Sequence, residues 1–163
     1  MRLLLFYLLL VLGQGFLSAL LSPLPAPDLF LLALLTLVGR LSPWQLIAAA
    51  FGIGLLQDLI GHGVLGLHAF ALATAAMVTL LVSEQFSQGG FFERLSKIVT
   101  AALGKWLALT LLVVWLSGSF GGLGQLPWVA LFDTLFTLIV GLWLLPWAEA
   151  LYERTAVLRK ELL

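Results

Sequence analysis

The stretch 51–71, FGIGLLQDLIGHGVLGLHAFA, decides how the chain is expected to fold. An acid, two histidines and five glycines interrupt an otherwise apolar run. This pattern predicts the end of one membrane helix, a tight turn and the start of the next helix. Gly61 and Gly63 permit the backbone conformations of a turn, and Gly66 lets the returning helix approach closely. Asp58 lies near the end of the first helix, where a carboxylate needs a partner.

Asp58 has two interpretations. In the preferred one it is a structural residue that accepts backbone N–H bonds around 61–64. In the other it is a functional group, because ionisable side chains within a membrane usually face protein or water and take part in function. His62 is interpreted as a solvated turn residue, and His68 as a polar residue buried near a helix start. The glycines around His62 argue against a metal shared with Asp58.

The composition is that of an integral membrane protein. Of the 163 residues, 62% are hydrophobic and 10% are charged, and the mean hydropathy is +1.13. A soluble domain carries about 25% charged residues. The sequence contains no cysteine, which excludes disulfides, thiolate metal sites and a cysteine nucleophile. Because the net charge is zero, a nucleic-acid partner has no electrostatic support.

Apolar segments predict an all-α fold of six transmembrane helices in a single domain, 1–163. The predicted helices cover residues 3–21, 28–40, 44–60, 64–82, 97–116 and 128–147, and a cytoplasmic tail covers 148–163. The second helix is short, about 20 Å long at 1.5 Å per residue, and the sequence leaves open whether it fully spans. Asp28 follows three prolines and is the natural N-cap of that helix.

Basic residues predict the orientation. With six spans, the sequence puts seven of its eight Lys and Arg residues on one side of the membrane and none in the loops of the other side. The seven are Arg2, Arg40, Arg94, Lys97, Arg154, Arg159 and Lys160. Since short cytoplasmic loops are enriched in Lys and Arg, both termini are expected in the cytoplasm and the Asp58 turn on the outer side.

Small residues recur three or four apart along the third and fourth predicted helices, which allows neighbouring backbones to come close. These residues are Ala48, Ala50, Gly52, Gly54, Ala69, Ala73 and Ala76. We expect the two helices to form a tightly packed hairpin with Asp58 at its apex. Their Ala/Gly faces are also the candidate surface for a partner helix.

Two more charged residues lie inside predicted helices. Lys105 is about 12 Å along its helix from Lys97, so it can either extend back to the membrane surface or pair internally, and the first is preferred. Asp133 comes out at a depth similar to that of Asp58, as paired carboxylates of an active site would. The sequence has no motif of an intramembrane aspartyl protease, a serine hydrolase, a metalloprotease or a phosphate-binding loop. We therefore expect no enzyme, no metal site and no cofactor.

The run 54–72, GLLQDLIGHGVLGLHAFAL, resembles the signature of the rod-shape-determining protein MreD family. In that family a glycine-rich helix ends in an aspartate, followed by a small-residue turn, Leu-Gly and a short apolar stretch. The entry Pro-Asp-Leu at 27–29 into a short helix closed by Arg40 is similar too. Chain length, six spans and charge bias also match the family.

The resemblance implies a non-enzymatic scaffold in the bacterial inner membrane, within the machinery of cell elongation. Its expected partner is the single-span, periplasmic coiled-coil protein MreC. Through MreC it is expected to reach MreB filaments and the glycosyltransferase and transpeptidase that build lateral peptidoglycan. The lipid bilayer surrounds it. From the residue patterns described above, the candidates for structural or partner-binding roles are Asp28, Gly52, Gly54, Asp58, Gly61, Gly63, Gly66, His68, Ala69, Ala73, Lys105 and Asp133.

An alternative function follows from the fold that the resemblance implies, which is similar to that of the substrate-binding subunits of energy-coupling-factor transporters. Under this alternative, inward-facing polar residues bind a small molecule: Gln14, Gln57, Asp58, His68, Lys105 and Asp133. The sequence shows no internal repeat and no energy-coupling motif. The two functions differ in whether Asp58, His68 and Asp133 surround a cavity or bond to their own backbone.

Overall fold

A computed structural model describes residues 2–61, 64–83, 90–118 and 124–161, with the side chains of all of these except 2–4 and 154–161. This part of the chain forms six α-helices and no strand. The helices are α1 Arg2–Leu21, α2 Leu29–Leu35, α3 Pro43–Gly61, α4 Leu67–Ser83, α5 Phe91–Ser117 and α6 Leu126–Glu161. The expected all-α class is confirmed.

Three of these helices are long and apolar enough to cross a membrane: Pro43–Gly61, Phe91–Ser117 and, within α6, Leu126–Glu153. The apolar parts of α1 and α4 are slightly shorter. Large apolar side chains cover the outside of the bundle, such as Leu103, Trp115 and Trp143, which are 64%, 78% and 69% exposed. An apolar surface of this extent suits lipid rather than water. The chain is therefore a membrane protein.

The short helix α2 lies at the centre of the bundle. All seven of its residues are buried, and it contacts each of the other five helices. It ends at Leu35 rather than at the predicted residue 40, because side-chain bonds and a glycine turn the backbone there. The Thr36 hydroxyl donates to the Ala33 carbonyl at 2.7 Å, and Gly39 has a φ of +78°. At seven residues α2 is about 10 Å long, which is too short to span a membrane.

The predicted hairpin of α3 and α4 is confirmed, and it depends on Gly54. A Cβ atom at Gly54 would lie 2.4 Å from the Cα of Ala69, which leaves no room for a side chain. On its other side α4 packs against α5, where a Cβ at Gly104 would lie 3.1 Å from the Cα of Ala75. Small residues thus bring three successive helices into close contact, as expected for helices that pack within a membrane.

Two helices are longer than the sequence predicted. Helix α5 begins at Phe91 rather than at residue 97, and α6 continues through Pro146 to Glu161, so the expected tail extends the sixth helix. Ion pairs hold these extensions. Arg94 Nη2 lies 2.6 Å from Glu149 Oε2, and Lys97 pairs with Glu93 one turn earlier. The connection 84–89 lies outside the described residues.

Aromatic and polar contacts tie α1, the end of α2 and α6 together at the same end of the bundle. The Tyr7 hydroxyl is 2.7 Å from the Thr36 hydroxyl and also bonds to the Tyr152 hydroxyl. The Arg40 guanidinium lies 3.8 Å from the centre of the Tyr152 ring, a cation–π contact. The continuation of α6 beyond Pro146 is therefore packed on the bundle as far as Tyr152.

Candidate functional site: a polar cavity beside a buried ion cluster

A polar cavity of about 170 Å³ lies where the outer helices meet the N-terminal end of α2. Its lining comes from α1, the connection before α2, α3, α4, α5 and α6. The lining residues are Gln14, Pro25, Asp28, Gln57, His68, Lys105, Trp106, Leu109, Val129 and Asp133. Six of the ten carry a charge or an amide or imidazole, in a bundle that is otherwise apolar.

Lys105 is the centre of a buried ion cluster. Its side chain is 5% exposed, and its Nζ lies 2.7 Å from Asp28 Oδ2 and 2.8 Å from Asp133 Oδ2. The indole Nε1 of Trp106 donates to the same Asp133 oxygen at 2.9 Å. The preferred prediction, that Lys105 extends back to the membrane surface, is therefore wrong. Lys105 pairs internally because two carboxylates lie within its reach. If its side chain left the bundle, both carboxylates would stay buried without a positive partner.

Asp28 is held in place by the start of α2. Its Oδ1 accepts the N–H of Leu31 at 2.9 Å, which confirms the predicted N-cap. Its own N–H donates to the Thr137 hydroxyl at 2.7 Å, and the next N–H, that of Leu29, donates to Gln14 Oε1 at 2.7 Å. Side chains of α1 and α6 thus satisfy the backbone at the start of α2 and orient the Asp28 carboxylate toward Lys105.

Asp58 accepts backbone N–H groups from the end of the turn, at Gly66, and from the start of α4. Its Oδ2 accepts the N–H of Gly66 at 2.8 Å and that of Ala69 at 3.4 Å. Its Oδ1 accepts the N–H of His68 at 3.0 Å and lies 2.7 Å from His68 Nδ1. The structural role predicted for Asp58 is observed, and its donors among the described residues lie beyond the predicted range 61–64. The carboxylate reaches further because the first N–H groups of α4 are free to donate.

Glycines of the hairpin differ in their roles. Gly66 has a φ of +95°, a conformation that glycine adopts without strain, and a Cβ there would meet nothing within 4 Å. The expectation that Gly66 allows a close helix approach is therefore wrong. The glycine is needed at this position for the backbone conformation of the turn. Gly61 is the last residue of α3, and Gly63 and His62 lie outside the described residues.

The small residues of α3 and α4 also divide into two groups. Gly54 and Ala69 meet inside the hairpin, and Ala69 is fully buried while Ala73 is half-buried. Gly52 is exposed, with nothing within 4 Å of a Cβ placed on it, so the expected close packing at Gly52 within the chain is wrong. The reason is the helical period, since residues two apart point to faces about 200° apart.

Helix depth suggested Asp58 and Asp133 as paired carboxylates, but the structure pairs Asp133 with Asp28. Asp133 shares Lys105 with Asp28, whereas Asp58 is bonded to backbone N–H groups and to His68. A bridging ammonium neutralises charge on both members of the Asp28–Asp133 pair, which fits a structural cluster better than an acid–base pair. Within the described ranges no group of three His, Asp or Glu side chains could hold a metal ion.

Sequence reasoning missed two supporting residues, Thr137 and Trp106. Thr137 lies one helical turn after Asp133 on α6. This i,i+4 spacing places both residues on one face of the helix, so the sequence did contain a pattern that could have identified Thr137. Trp106 adjoins Lys105 in sequence, but its bond to Asp133 depends on how α5 and α6 are oriented. Gln57, included among the inward-facing polar residues, has a buried Oε1 with no hydrogen-bond partner among the described residues.

Fold and site together define a helical membrane protein with a buried ion cluster beside a polar cavity. Residues 1–155 match the family model described as rod shape-determining protein MreD. The chain therefore belongs to the MreD family, and the resemblance found in the sequence is confirmed. No curated protein and no solved structure matches the chain. Membership implies a role in rod shape determination, in a structural family rather than an enzyme family.

Proposed function

We propose that the protein is a non-enzymatic scaffold of the cell-elongation complex in the bacterial inner membrane, and that it binds the single-span MreC-type protein. The observation that carries this proposal is the family match over residues 1–155. Through that partner the chain reaches MreB filaments and the synthases of lateral peptidoglycan. A scaffold has no chemistry to perform, so its charged residues serve to hold helices together.

Contacts of the intramembrane acids support a structural role. Asp28 caps α2, Asp58 bonds to the start of α4, and Asp133 is bonded by Lys105 and Trp106. Each carboxylate fixes one helix relative to another. Such bonds suit a rigid body that presents a constant surface to a partner.

The proposed orientation has six membrane passages with both termini in the cytoplasm, and the second passage consists of the connection 22–28 together with the short α2. The proposed fold is like that of the substrate-binding subunits of energy-coupling-factor transporters. The charge bias of the sequence supports this orientation. It puts the Asp58 hairpin at the outer side and the Tyr7–Tyr152 contact at the cytoplasmic side. The short α2 then lies within the bundle, reached by the connection 22–28 from the outer side.

The proposed contact surface for the partner helix is the exposed face of α3 around Ala48 and Gly52. The Gly54 and Ala69 faces are used inside the chain, because α3 and α4 pack against each other through them. Ala48 and Gly52 are four residues apart and both are exposed. A partner helix can approach an Ala-xxx-Gly face closely, whereas lipid gains nothing from small residues there.

The transport alternative depends on the cavity, which His68 and Asp133 line while Asp58 bonds to backbone. At about 170 Å³ the cavity is smaller than the roughly 300–1,000 Å³ usual for small-molecule sites. The volume therefore favours the scaffold over a subunit that captures a vitamin-sized substrate.

Co-purification with the MreC-type protein from the same genome tests the proposal. A photo-cross-linker at position 52 should link to the partner, and one at the control position 103, on the equally lipid-facing surface of α5, should not. Gly52→Leu should lower the yield of the complex several-fold while leaving the Tm of the chain alone unchanged. Absence of a complex, with a small molecule retained by the purified chain, would favour the transport subunit instead.

A further inference from the structure

The polar cavity and its surroundings hold more negative than positive charge. Three carboxylates, those of Asp28, Asp58 and Asp133, are accompanied by one ammonium, that of Lys105, and one imidazole, that of His68. With all three carboxylates ionised and His68 protonated, one negative charge is left over among these five residues. Buried charges are stable when they are paired, so the excess favours uptake of a cation.

The cavity also holds a hydrogen-bond acceptor that lacks a donor. Gln57 Oε1 is buried and has no partner among the described residues. Lys105 and Trp106 both donate to Asp133 through the same oxygen, Oδ2, although a carboxylate offers about four acceptor positions. The indole of Trp106 lines the cavity as well, and the Lys105 ammonium lies 5.0 Å from the centre of its ring, a cation–π contact. These groups together suit a cation that carries N–H donors.

Size and access fit a small group. At roughly 30 Å³ per water molecule, 170 Å³ holds about five waters, so a single ammonium with a short carbon chain fits with water to spare. The lining is open at its edge, since Val129 is 39% exposed and the His68 side chain 31% exposed. A cationic group can therefore enter without unfolding the bundle.

We propose that this cavity binds a primary ammonium group, which donates to Gln57 Oε1 and to the carboxylates of Asp28 and Asp133. A free small amine and a basic side chain of the partner protein carry the same group, and both are sources of it. The partner as the source rests on the proposed scaffold function, whereas the site itself does not. Binding adds the positive charge that the buried cluster lacks.

Thermal unfolding of the purified full chain in detergent tests the site with methylammonium chloride as the probe. Tetramethylammonium chloride at equal ionic strength is the matched salt, because it has the same charge and no N–H donor. A concentration of methylammonium ten times its Kd should raise Tm by about 4 °C relative to that salt. Equal Tm values in the two salts would overturn the proposal.

Variants of two lining residues, each with a matched control, test whether methylammonium binds in this cavity. Asp133→Asn removes the excess charge and Gln57→Met removes the unpaired carbonyl, so the response to methylammonium should be lost in both. Glu153→Gln on α6 and Gln45→Met on α3 change exposed residues of the same types and should keep the full response. An unchanged response in Asp133→Asn and Gln57→Met would contradict binding in this cavity. If one of the two fails to fold, the other decides.

The co-purified complex distinguishes the two sources. If the partner supplies the ammonium group, the complex should no longer respond to methylammonium, and it should respond again once the basic residues flanking the partner's span are replaced by glutamine. If a free amine is the ligand, the complex should respond as the chain alone does. Failure to form a complex would count against the scaffold function, while the response of the chain alone would still test the cavity.

Discussion

Two buried carboxylate sites in this protein are stabilised in opposite ways. At the hairpin apex, Asp58 is bonded to backbone N–H groups and a histidine within eleven residues of it along the chain. In the ion cluster, Asp28 and Asp133 depend on a single ammonium, that of Lys105, which comes from a third, distant segment. The apex uses mainly main-chain N–H groups, whereas the cluster uses one side-chain ammonium shared by two acids.

This difference predicts how each site tolerates change. Main-chain donors remain when a side chain is replaced, so the apex should accept any residue that offers an oxygen in the right place. The cluster has no substitute for Lys105, so the loss of that one residue leaves two carboxylates facing each other in a low-dielectric interior. The bonds of the apex join residues that are close in sequence, whereas the bonds of the cluster join three distant segments that depend on one another.

The largest effect is expected for Lys105→Met, which keeps the length and apolar stem of the side chain and removes its charge. Two unpaired buried carboxylates should lower the free energy of unfolding by about 3–5 kcal/mol. Reversible unfolding in mixed detergent micelles measures it. Lys97→Met is the matched control, and the loss of its partly exposed pair with Glu93, one turn apart on the same helix, should cost about 0.5 kcal/mol. A similarly small loss of unfolding free energy for Lys105→Met and Lys97→Met would contradict the claim that the buried cluster depends on its lysine more than the Lys97–Glu93 pair does.

Gly54→Ala should have the next largest effect, because the new Cβ would overlap the backbone of Ala69 and α4 would have to move away from α3. Since the start of α4 holds Asp58, the apex should loosen with it. We expect a loss of about 2–3 kcal/mol in the free energy of unfolding. Gly52→Ala is the control two residues away and should be neutral or stabilise slightly, because alanine favours helix. Equal losses would show that α4 does not pack on Gly54.

At the apex, Asp58→Ala and Asp58→Asn separate hydrogen bonding from charge. Asp58→Ala leaves the N–H groups of Gly66, His68 and Ala69 without their acceptor and should cost about 2 kcal/mol of unfolding free energy. Asp58→Asn keeps one acceptor oxygen, although its amide nitrogen cannot accept from the donors of the other oxygen, and it should cost less than Asp58→Ala. Equal losses in thermal and chemical unfolding would mean that the charge matters at the apex as it does in the cluster.

The smallest effect is expected at Gly66, whose φ of +95° any other residue adopts only with strain. Gly66→Ala should cost about 1 kcal/mol, and it should do so by strain alone, because the added methyl group meets nothing. Gly61→Ala, at the end of α3, is the control and should be close to neutral. Comparison of the two Tm values tests this assignment. A larger decrease in Tm for Gly61→Ala than for Gly66→Ala would contradict the assignment of backbone strain to position 66.

The sequence predicted the apex better than the cluster, and the reason is distance along the chain. Asp58, its glycines and the start of α4 are neighbours, so turn chemistry was enough to place a capping carboxylate there. The Lys105 pairing depends on how α2, α5 and α6 are oriented, which no local pattern encodes. Rise along a helix gave similar depths for Asp58 and Asp133, but depth says nothing about which face a residue occupies.

Helix ends show the same limit. Asp28 was recognised as an N-cap because the proline segment before it is a clear signal, whereas the early end of α2 at Leu35 depends on the Thr36 side-chain bond and the turn at Gly39, which the apolar run did not reveal. The family signature in 54–72 also depends on local spacing, and the family match over 1–155 confirms it. The cavity beside the cluster is a product of packing and could not be foreseen.

The most direct test of the cooperative cluster is a double-mutant cycle of Lys105→Met with Asp133→Asn, measured as the free energy of unfolding in detergent. Because Asp133→Asn removes the repulsion that Lys105→Met creates, the double variant should be more stable than Lys105→Met alone by at least about 1 kcal/mol. Losses that add within about 0.5 kcal/mol would contradict the account, since they would mean that Lys105 and Asp133 act independently.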